Sequence, residues 1–347
     1  MQALRADLEA ALPLIWGRPV ASIFLGGGTP SLMSPEALSE WLSYVRALLP
    51  LLPDCEITLE ANPGTFEQAR FSAFAQAGVT RLSLGVQSLD DAHLRVLGRV
   101  HDSAQARAAL LHVAKTFANF NIDLMYALPG QTLEGLRAEL DAVLAVNPPN
   151  LSVYHLTIEP NTVFAQRPPT LPDDDTASAM LDCITDRTAS VGLERYEVSA
   201  YARTGRACRH NLNYWHFGDY LGVGAGAHSK LTLPDGRIVR HQRVRDPARY
   251  MEAALQVQAT TQERDVAGVE LAFEFMLNAL RLRQGFPLAL FRERTGLALR
   301  ALEPGLTLAV QRGLLLRDAT HIRPTERGFD FLNDLLALFL PPDSTAP

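Results

Sequence analysis

Residues 20 to 25, apolar but for Ser22, run straight into Gly26-Gly27-Gly28-Thr29-Pro30. Apolar residues on successive positions, instead of alternating, suit a strand covered on both faces, and such strands belong to parallel sheets sandwiched by helices. Three successive glycines at its end leave bare backbone against which a ligand can sit. The loop is not a P-loop, for it lacks the GK[ST] ending, and Pro30 and Ser31 break the GxGxxG spacing. The same pattern recurs: 56–60, 81–86, 122–126, 151–156 and 196–199 read as further strands, with 220–224 as a seventh. Between them lie helix signals. Ser34-Pro35 offers an N-cap followed by a first-turn proline, and Leu38, Trp41, Leu42, Val45 and Leu49 mark one apolar face. Thr65-Phe66-Glu67-Gln68 has the form of a capping box. Repeated βα units predict a parallel sheet with right-handed crossovers, either doubly wound or closed towards a barrel. In both, ligands bind beyond the carboxyl ends of the strands, where the GGGTP loop, Glu60 and Gln87 fall.

A chain of 347 residues accommodates one large α/β domain and a small second one. The net charge of -6 argues against a nucleic-acid or membrane partner held by bulk charge. Only Lys115 and Lys230 are lysine; the other basic residues are arginines, suited to clamping carboxylates and not to acting as general bases. Cys55, Cys183 and Cys208 are far apart and form no CxxC, so they read as buried thiols in a reducing compartment. Without a signal peptide or an apolar run of transmembrane length, the cytoplasm is the expected location. From about Val269 the pattern changes to helical segments at 270–282, 287–295 and 302–312. A hairpin at 314–323 and a helix capped by Thr325 follow, a winged-helix-like arrangement expected to pack or dock. The expected organisation is a barrel over 1–235, a connector over 236–268, the C-terminal domain over 269–340 and a disordered tail over 341–347.

Single residues say little. Glu60 ends a strand, Gln87 ends the next, Arg99 follows in a Leu-Gly-Arg segment and Asp123 interrupts an apolar strand. A carboxylate at Asp123 is costly unless paired or hydrogen-bonded; a structural ion pair and a ligand hydroxyl both satisfy that. In the segment Arg209-His210-Asn211-Leu212-Asn213-Tyr214-Trp215, His210 can ligate haem iron, while Tyr214 and Trp215 offer flat apolar surfaces to a porphyrin. A core histidine flanked by core aromatics is the plainer alternative. His228, in Gly222-Val223-Gly224-Ala225-Gly226-Ala227-His228, is a second candidate.

The set is more specific than its members. Phe24-Leu25-Gly26-Gly27-Gly28-Thr29-Pro30, Glu60-Ala61-Asn62-Pro63, Leu84-Gly85-Val86-Gln87-Ser88 and Ile122-Asp123-Leu124-Met125-Tyr126-Ala127-Leu128-Pro129-Gly130 occur in this order. The series resembles the radical S-adenosylmethionine proteins of the oxygen-independent coproporphyrinogen oxidase (HemN) superfamily, over essentially the whole chain. The HNxxYW segment, the glycine-rich run to His228 and Leu156-Thr157-Ile158-Glu159-Pro160-Asn161-Thr162 look like its HemW branch of haem chaperones. The resemblance implies an α/β fold, a partial (β/α)6 barrel with a C-terminal winged-helix-like domain. It implies that Gly27, Gly28, Thr29, Glu60, Gln87, Arg99 and Asp123 contact S-adenosylmethionine. It further implies haem binding at His210, Asn211, Tyr214 and Trp215, with haem passed to acceptor haemoproteins.

The family carries CxxxCxxC on the loop after the first barrel strand, where three thiolates hold a 4Fe-4S cluster. Met1-Gln2-Ala3-Leu4 reads as the start of the helix after that loop, so the first strand and the cluster cysteines are expected to be missing. A shortened start explains this more simply than a truncated relative. Three functions follow: a haem chaperone, an oxygen-independent coproporphyrinogen III dehydrogenase, or a barrel that binds a partner without haem. The HNxxYW segment favours the first.

Overall fold

The computed structural model describes residues 1–64 and 68–341. The capping-box residues Thr65 to Glu67, and the expected tail beyond Pro341, lie outside the described residues. The chain divides into two compact units, Val20–His210 and a second joining Met1–Pro19 to Asn211–Pro347.

The unit Val20–His210 is built on a seven-stranded sheet. Strands β1 (Val20–Leu25), β2 (Leu51–Ala61), β3 (Arg81–Gln87), β4 (Phe120–Tyr126) and β5 (Asn150–His155) lie side by side in chain order, each parallel to the next. Strand order without a reversal is that of a barrel wall; a doubly wound sheet reverses at a switch point. Leu82, Leu84 and Val86 bury one face of β3, and Ile122 and Leu151 are buried in the neighbouring strands. β1 departs from the expectation of cover on both faces: none of its residues is fully buried and Ala21 is exposed, because it is the first strand in the sheet order and has a neighbour on one side only. The helix Pro35–Leu48 begins as its sequence predicts, with Ser34 Oγ accepting from Ala37 N at 3.2 Å and Leu38, Trp41, Leu42 and Val45 buried.

Two strand expectations need correction. Residues 196–199 are not a strand but the turn between β6 (Glu194–Arg195) and β7 (Ala200–Ala202). The Arg195 guanidinium donates to Val198 O at 2.7 Å and Ser199 N donates to Glu197 at 3.0 Å, which folds the chain back. β7 therefore runs antiparallel to β5, and β6 antiparallel to β7. Residues 220–224 form only an isolated bridge from Tyr220 to Lys230. A side chain at Gly222 would strike the backbone of His228, so the segment approaches its neighbour too closely for a regular ladder.

In the other unit, β8 (His228–Thr232), β9 (Ile238–Arg243) and β10 (Thr260–Val266) form an antiparallel sheet in the order β10-β9-β8. Residues 236–268, read as a connector, thus hold two strands and the helix Pro247–Leu255. The helix Gln2–Ile15 packs against Pro247–Leu255 through Ala3, Leu4, Tyr250 and Ala254. The C-terminal part contains helices Gly268–Ala279, Leu288–Thr295 and Gly305–Gln311. A small sheet follows, of β11 (Phe286–Pro287), β12 (Leu315–Arg317) and β13 (His321–Pro324), in the order β11-β13-β12. Phe275 anchors this core edge-on to Phe286 and Phe291, with ring centroids 4.9 and 5.1 Å away. Thr325 caps the next helix as expected, but that helix breaks at Phe331 into Glu326–Asp330 and Leu332–Ala337.

Candidate functional site

At the carboxyl ends of β1 to β4 lies a cavity of about 190 Å³ lined by Gly28, Thr29, Glu60, Gln87, Arg99 and Asp123. Pro30, Ala61, Asn62, Ser83 and Gly85 complete the lining. Gly27 joins through its backbone, its N–H donating to Glu60 Oε2 at 3.2 Å. Local sterics explain the glycines. Gly27 and Gly28 take φ of 79° and 59°, and a methyl on Gly26 would lie 2.7 Å from the Phe24 ring and 2.9 Å from Glu60 Oε2. Gln87, the last residue of β3, and Ala127, the first after β4, are non-glycines with φ of 66° and 57°. The β3–β4 register slips between Leu84 and Gln87. Backbone strain of this kind collects at ligand sites.

The polar groups around the cavity are held in place. Asn121 Nδ2 donates to Asp123 Oδ1 at 2.8 Å and to Ser83 Oγ at 3.0 Å, while Ser83 Oγ donates to Asp123 Oδ2 at 3.1 Å. Ser152 Oγ donates to Asn121 Oδ1 at 3.1 Å and closes the network. Burial pushes the Asp123 carboxyl above its ordinary range, opposed by these donors and by Arg81. Burial likewise raises Glu60, against the Gly27 N–H, and lowers Arg99, against Asp123. Two carboxylates, a guanidinium and glycine-loop backbone in one small cavity suit a ligand with an ammonium, a carboxylate and hydroxyls. The supporting residues Ser83, Asn121 and Ser152 were missed in the sequence. Their signal was available: Ser83, Gly85 and Gln87 share one face of β3 at period two, as Asn121 and Asp123 do on β4.

The HNxxYW segment lies on the helix Arg209–Trp215, and the division into units falls between His210 and Asn211. In the first unit the His210 imidazole stacks on Phe24, with centroids 4.5 Å apart and planes at 21°. Phe24, next to last in β1, lays its ring beside Gly26, so one ring lies against both His210 and the glycine loop. Burial, with Arg81 adding to it, lowers the His210 pKa to about 4, which keeps the ring neutral and able to ligate a metal. In the second unit Tyr214 packs on Tyr220 at 4.5 Å, and Arg240 donates to the Tyr220 hydroxyl at 2.7 Å. The Arg281 guanidinium lies 4.3 Å from the Trp215 ring centre, so one face of that indole is already covered. Asn213, not singled out in the sequence, donates to Asp219 O at 2.9 Å and accepts from Gly218 N at 2.7 Å, turning the chain after the helix. His228 opens β8 and is exposed.

The cysteines do not fit a 4Fe-4S cluster. Cys55, on β2, Cys183, in the helix Asp174–Ser190, and Cys208 are separate buried thiols, and no metal-holding group of His, Cys, Asp or Glu occurs among the described residues. Cys55 precedes Glu60 on β2 by about 17 Å of strand, away from the cavity.

Residues 6–143 match the radical SAM superfamily model, and residues 268–331 match the HemN C-terminal domain. The chain is 46% identical over 341 residues to "Heme chaperone HemW" of Escherichia coli (strain K12), covering 98% of this chain and 89% of that one. It is 42% identical over 342 residues to the protein of the same name from Haemophilus influenzae, covering 98% and 88%. Among solved structures, "Coproporphyrinogen III oxidase (HemN) from Escherichia coli is a Radical SAM enzyme" superposes with a TM-score of 0.80. That match has 23% identity and covers 97% of this chain and 82% of the other, a likeness of fold. With the α/β barrel wall and the C-terminal helical domain described above, these identities place the chain in the HemW family of radical SAM proteins.

Proposed function

We propose that this protein is a haem chaperone that binds haem through the segment His210 to Trp215 and passes it to acceptor haemoproteins in the cytoplasm. The observation that carries this reading is the neutral imidazole of His210 stacked on Phe24, in a chain whose relatives are named heme chaperones. A neutral imidazole ligates haem iron without first losing a proton. Asn211, Tyr214 and Trp215 supply the polar and aromatic remainder of the segment. No helix is long and apolar enough to cross a membrane among the described residues.

The cavity at the strand ends fits S-adenosylmethionine. Glu60 suits the ammonium, Arg99 the carboxylate, Asp123 the ribose hydroxyls, and Gly27, Gly28, Thr29 and Gln87 the remaining polar edges. When bound, this cofactor supplies a sulfonium cation. The 4Fe-4S cluster of the family finds no ligands among the cysteines of this chain, so no reductive step is assigned to the residues present. Phe24 contacts both His210 and the glycine loop, which gives the cofactor site a physical route to the haem ligand.

The test is transfer. The protein is loaded with haem, mixed with an apo-haemoprotein and separated from it. Haem moving to the acceptor, with acceptor activity appearing, supports a chaperone. Haem retained by the donor, or protoporphyrinogen formed from coproporphyrinogen III, contradicts it.

A further inference from the structure

The helix Leu133–Leu144 buries Leu136, Glu139, Leu140 and Val143 along one stripe. An acid on such a stripe is costly unless its oxygens are hydrogen-bonded. Those of Glu139 are, and each serves a different strand. Oε1 accepts from Ser88 Oγ and from Leu89 N, just beyond β3. Oε2 accepts from Gln131 Nε2 at 3.2 Å, and Gln131 Oε1 accepts in turn from Leu128 N at 3.3 Å, just beyond β4. Ser88, Gln131 and Glu139 are all buried, and the whole network belongs to the unit Val20–His210. None of these residues lines the cavity at the strand ends.

What the network holds is strained backbone. Gln87 and Ala127, with φ of 66° and 57°, each come immediately before a residue that it grips, Ser88 and Leu128. A non-glycine residue in the left-handed region persists only where its surroundings fix it. Gln87 lines the cavity and lays its amide over Gly85, where a methyl would come within 3.1 Å of Gln87 Nε2. Arg99, another lining residue, is tied to the same strand end, because His101 Nε2 donates to Val86 O at 3.1 Å. Ser88 Oγ, besides donating to Glu139, accepts at 3.1 Å from the backbone of Asp90, the N-cap of the helix Asp91–Val96 that leads to Arg99.

We propose that Glu139 is a positioning residue: its one carboxylate fixes the strained exits of β3 and β4, and through them the placing of Gln87 and Arg99 against S-adenosylmethionine. This rests on the cofactor reading above and adds what pre-forms that site. Both carboxylate oxygens are needed as acceptors. A glutamine in this place has one acceptor oxygen and one NH2 group. If the oxygen faces Leu89 N, the NH2 group meets that of Gln131, and a Gln131 turned round to accept leaves Leu128 N facing a donor. If the oxygen faces Gln131, Leu89 N faces a donor instead. One strand exit is released in either case. The free site then populates relaxed backbone, and its affinity falls by the fraction that stays competent.

The test is S-adenosylmethionine affinity by calorimetry on the full chain, beside a haem Soret titration and the urea midpoint. Glu139→Gln should weaken S-adenosylmethionine about tenfold, the size expected when one strained exit relaxes in the free site. The haem band and haem affinity should stay as in the wild type. Gln131→Ala keeps the carboxylate and frees only the exit of β4, so its loss should be smaller. Ala127→Gly in that background should restore the affinity, because glycine takes the left-handed turn unaided. If Glu139→Gln does not fold, the Gln131→Ala pair decides. A merely structural role moves the urea midpoint and leaves S-adenosylmethionine affinity unchanged, which overturns the proposal, as does an equal weakening of both ligands or a Gln131→Ala loss that Ala127→Gly fails to reverse. Those results leave the cofactor reading intact. Wild-type protein that binds no S-adenosylmethionine removes the cofactor reading and this role with it.

Discussion

His210 illustrates how burial sets chemistry one residue at a time. An ordinary histidine would lose about tenfold in neutral fraction between pH 7.5 and 5.5. With its pKa lowered to about 4, the His210 ring stays neutral across that range. Haem affinity should therefore change by less than about twofold between those pH values; a tenfold loss would show that an ordinary histidine is the ligand. The same shift works against the fold in acid. The unfolded chain takes up the proton near pH 6.5 and the folded chain only near 4. Stability should thus fall as pH drops from about 6.5 towards 4, which urea midpoints across that range will measure. At the cavity proposed for S-adenosylmethionine, Asp123→Asn removes a carboxylate already held by Ser83 and Asn121 with little change of shape. S-adenosylmethionine affinity measured by calorimetry should fall about ten- to a hundredfold, the worth of hydrogen bonds to a charged acceptor. An unchanged affinity would take Asp123 out of the site.

At the scale of elements, the Asp7–Arg243 pair ties the helix Gln2–Ile15 to β9. Both side chains are almost fully buried, and Asp7 also accepts from Tyr250 Oη at 2.8 Å. Removing one partner strands the other charge, so Asp7→Ala should cost about 3–5 kcal/mol in urea unfolding of the full chain; a cost under about 1 kcal/mol would mean the pair is solvated and carries little. How far such elements could be read from sequence depended on whether the signal was local. The parallel strands were legible because short, largely apolar segments alternate with helix signals along the chain, and the helix Pro35–Leu48 because its cap and apolar face are local. The capping box of Asp102 and Gln105 obeys the same grammar as the motif sought at Thr65. The turn at 196–199 was illegible because Tyr196 and Val198 alternate like strand residues, while the bonds that fold the segment come from the Arg195 and Glu197 side chains. The β8–β10 sheet was missed because strands such as Thr260–Val266 are largely exposed and polar, with no apolar period to detect.

For the whole molecule, the grouping of these residues around one cavity was legible because they fall at strand ends in chain order, and the topology gathers strand ends in one place. The buried network behind Asp123 was less so: Asn121 and Ser152 come from different strands and meet only in the folded sheet. The separation of the cysteines makes a further prediction about these 347 residues. Incubated with ferrous iron, sulfide and reductant, the chain should take up no 4Fe-4S cluster, yet should still bind haem. A cluster absorption band from this chain would contradict the placement of Cys55, Cys183 and Cys208 on separate elements. The central claim is haem ligation by His210, and the most direct measurement is a Soret titration of the wild type beside His210→Ala at pH 7. The account predicts a saturable, shifted Soret band in the wild type and, in the variant, an altered band with affinity at least about tenfold weaker, the loss of one ligand bond. An identical band and affinity in His210→Ala would contradict it.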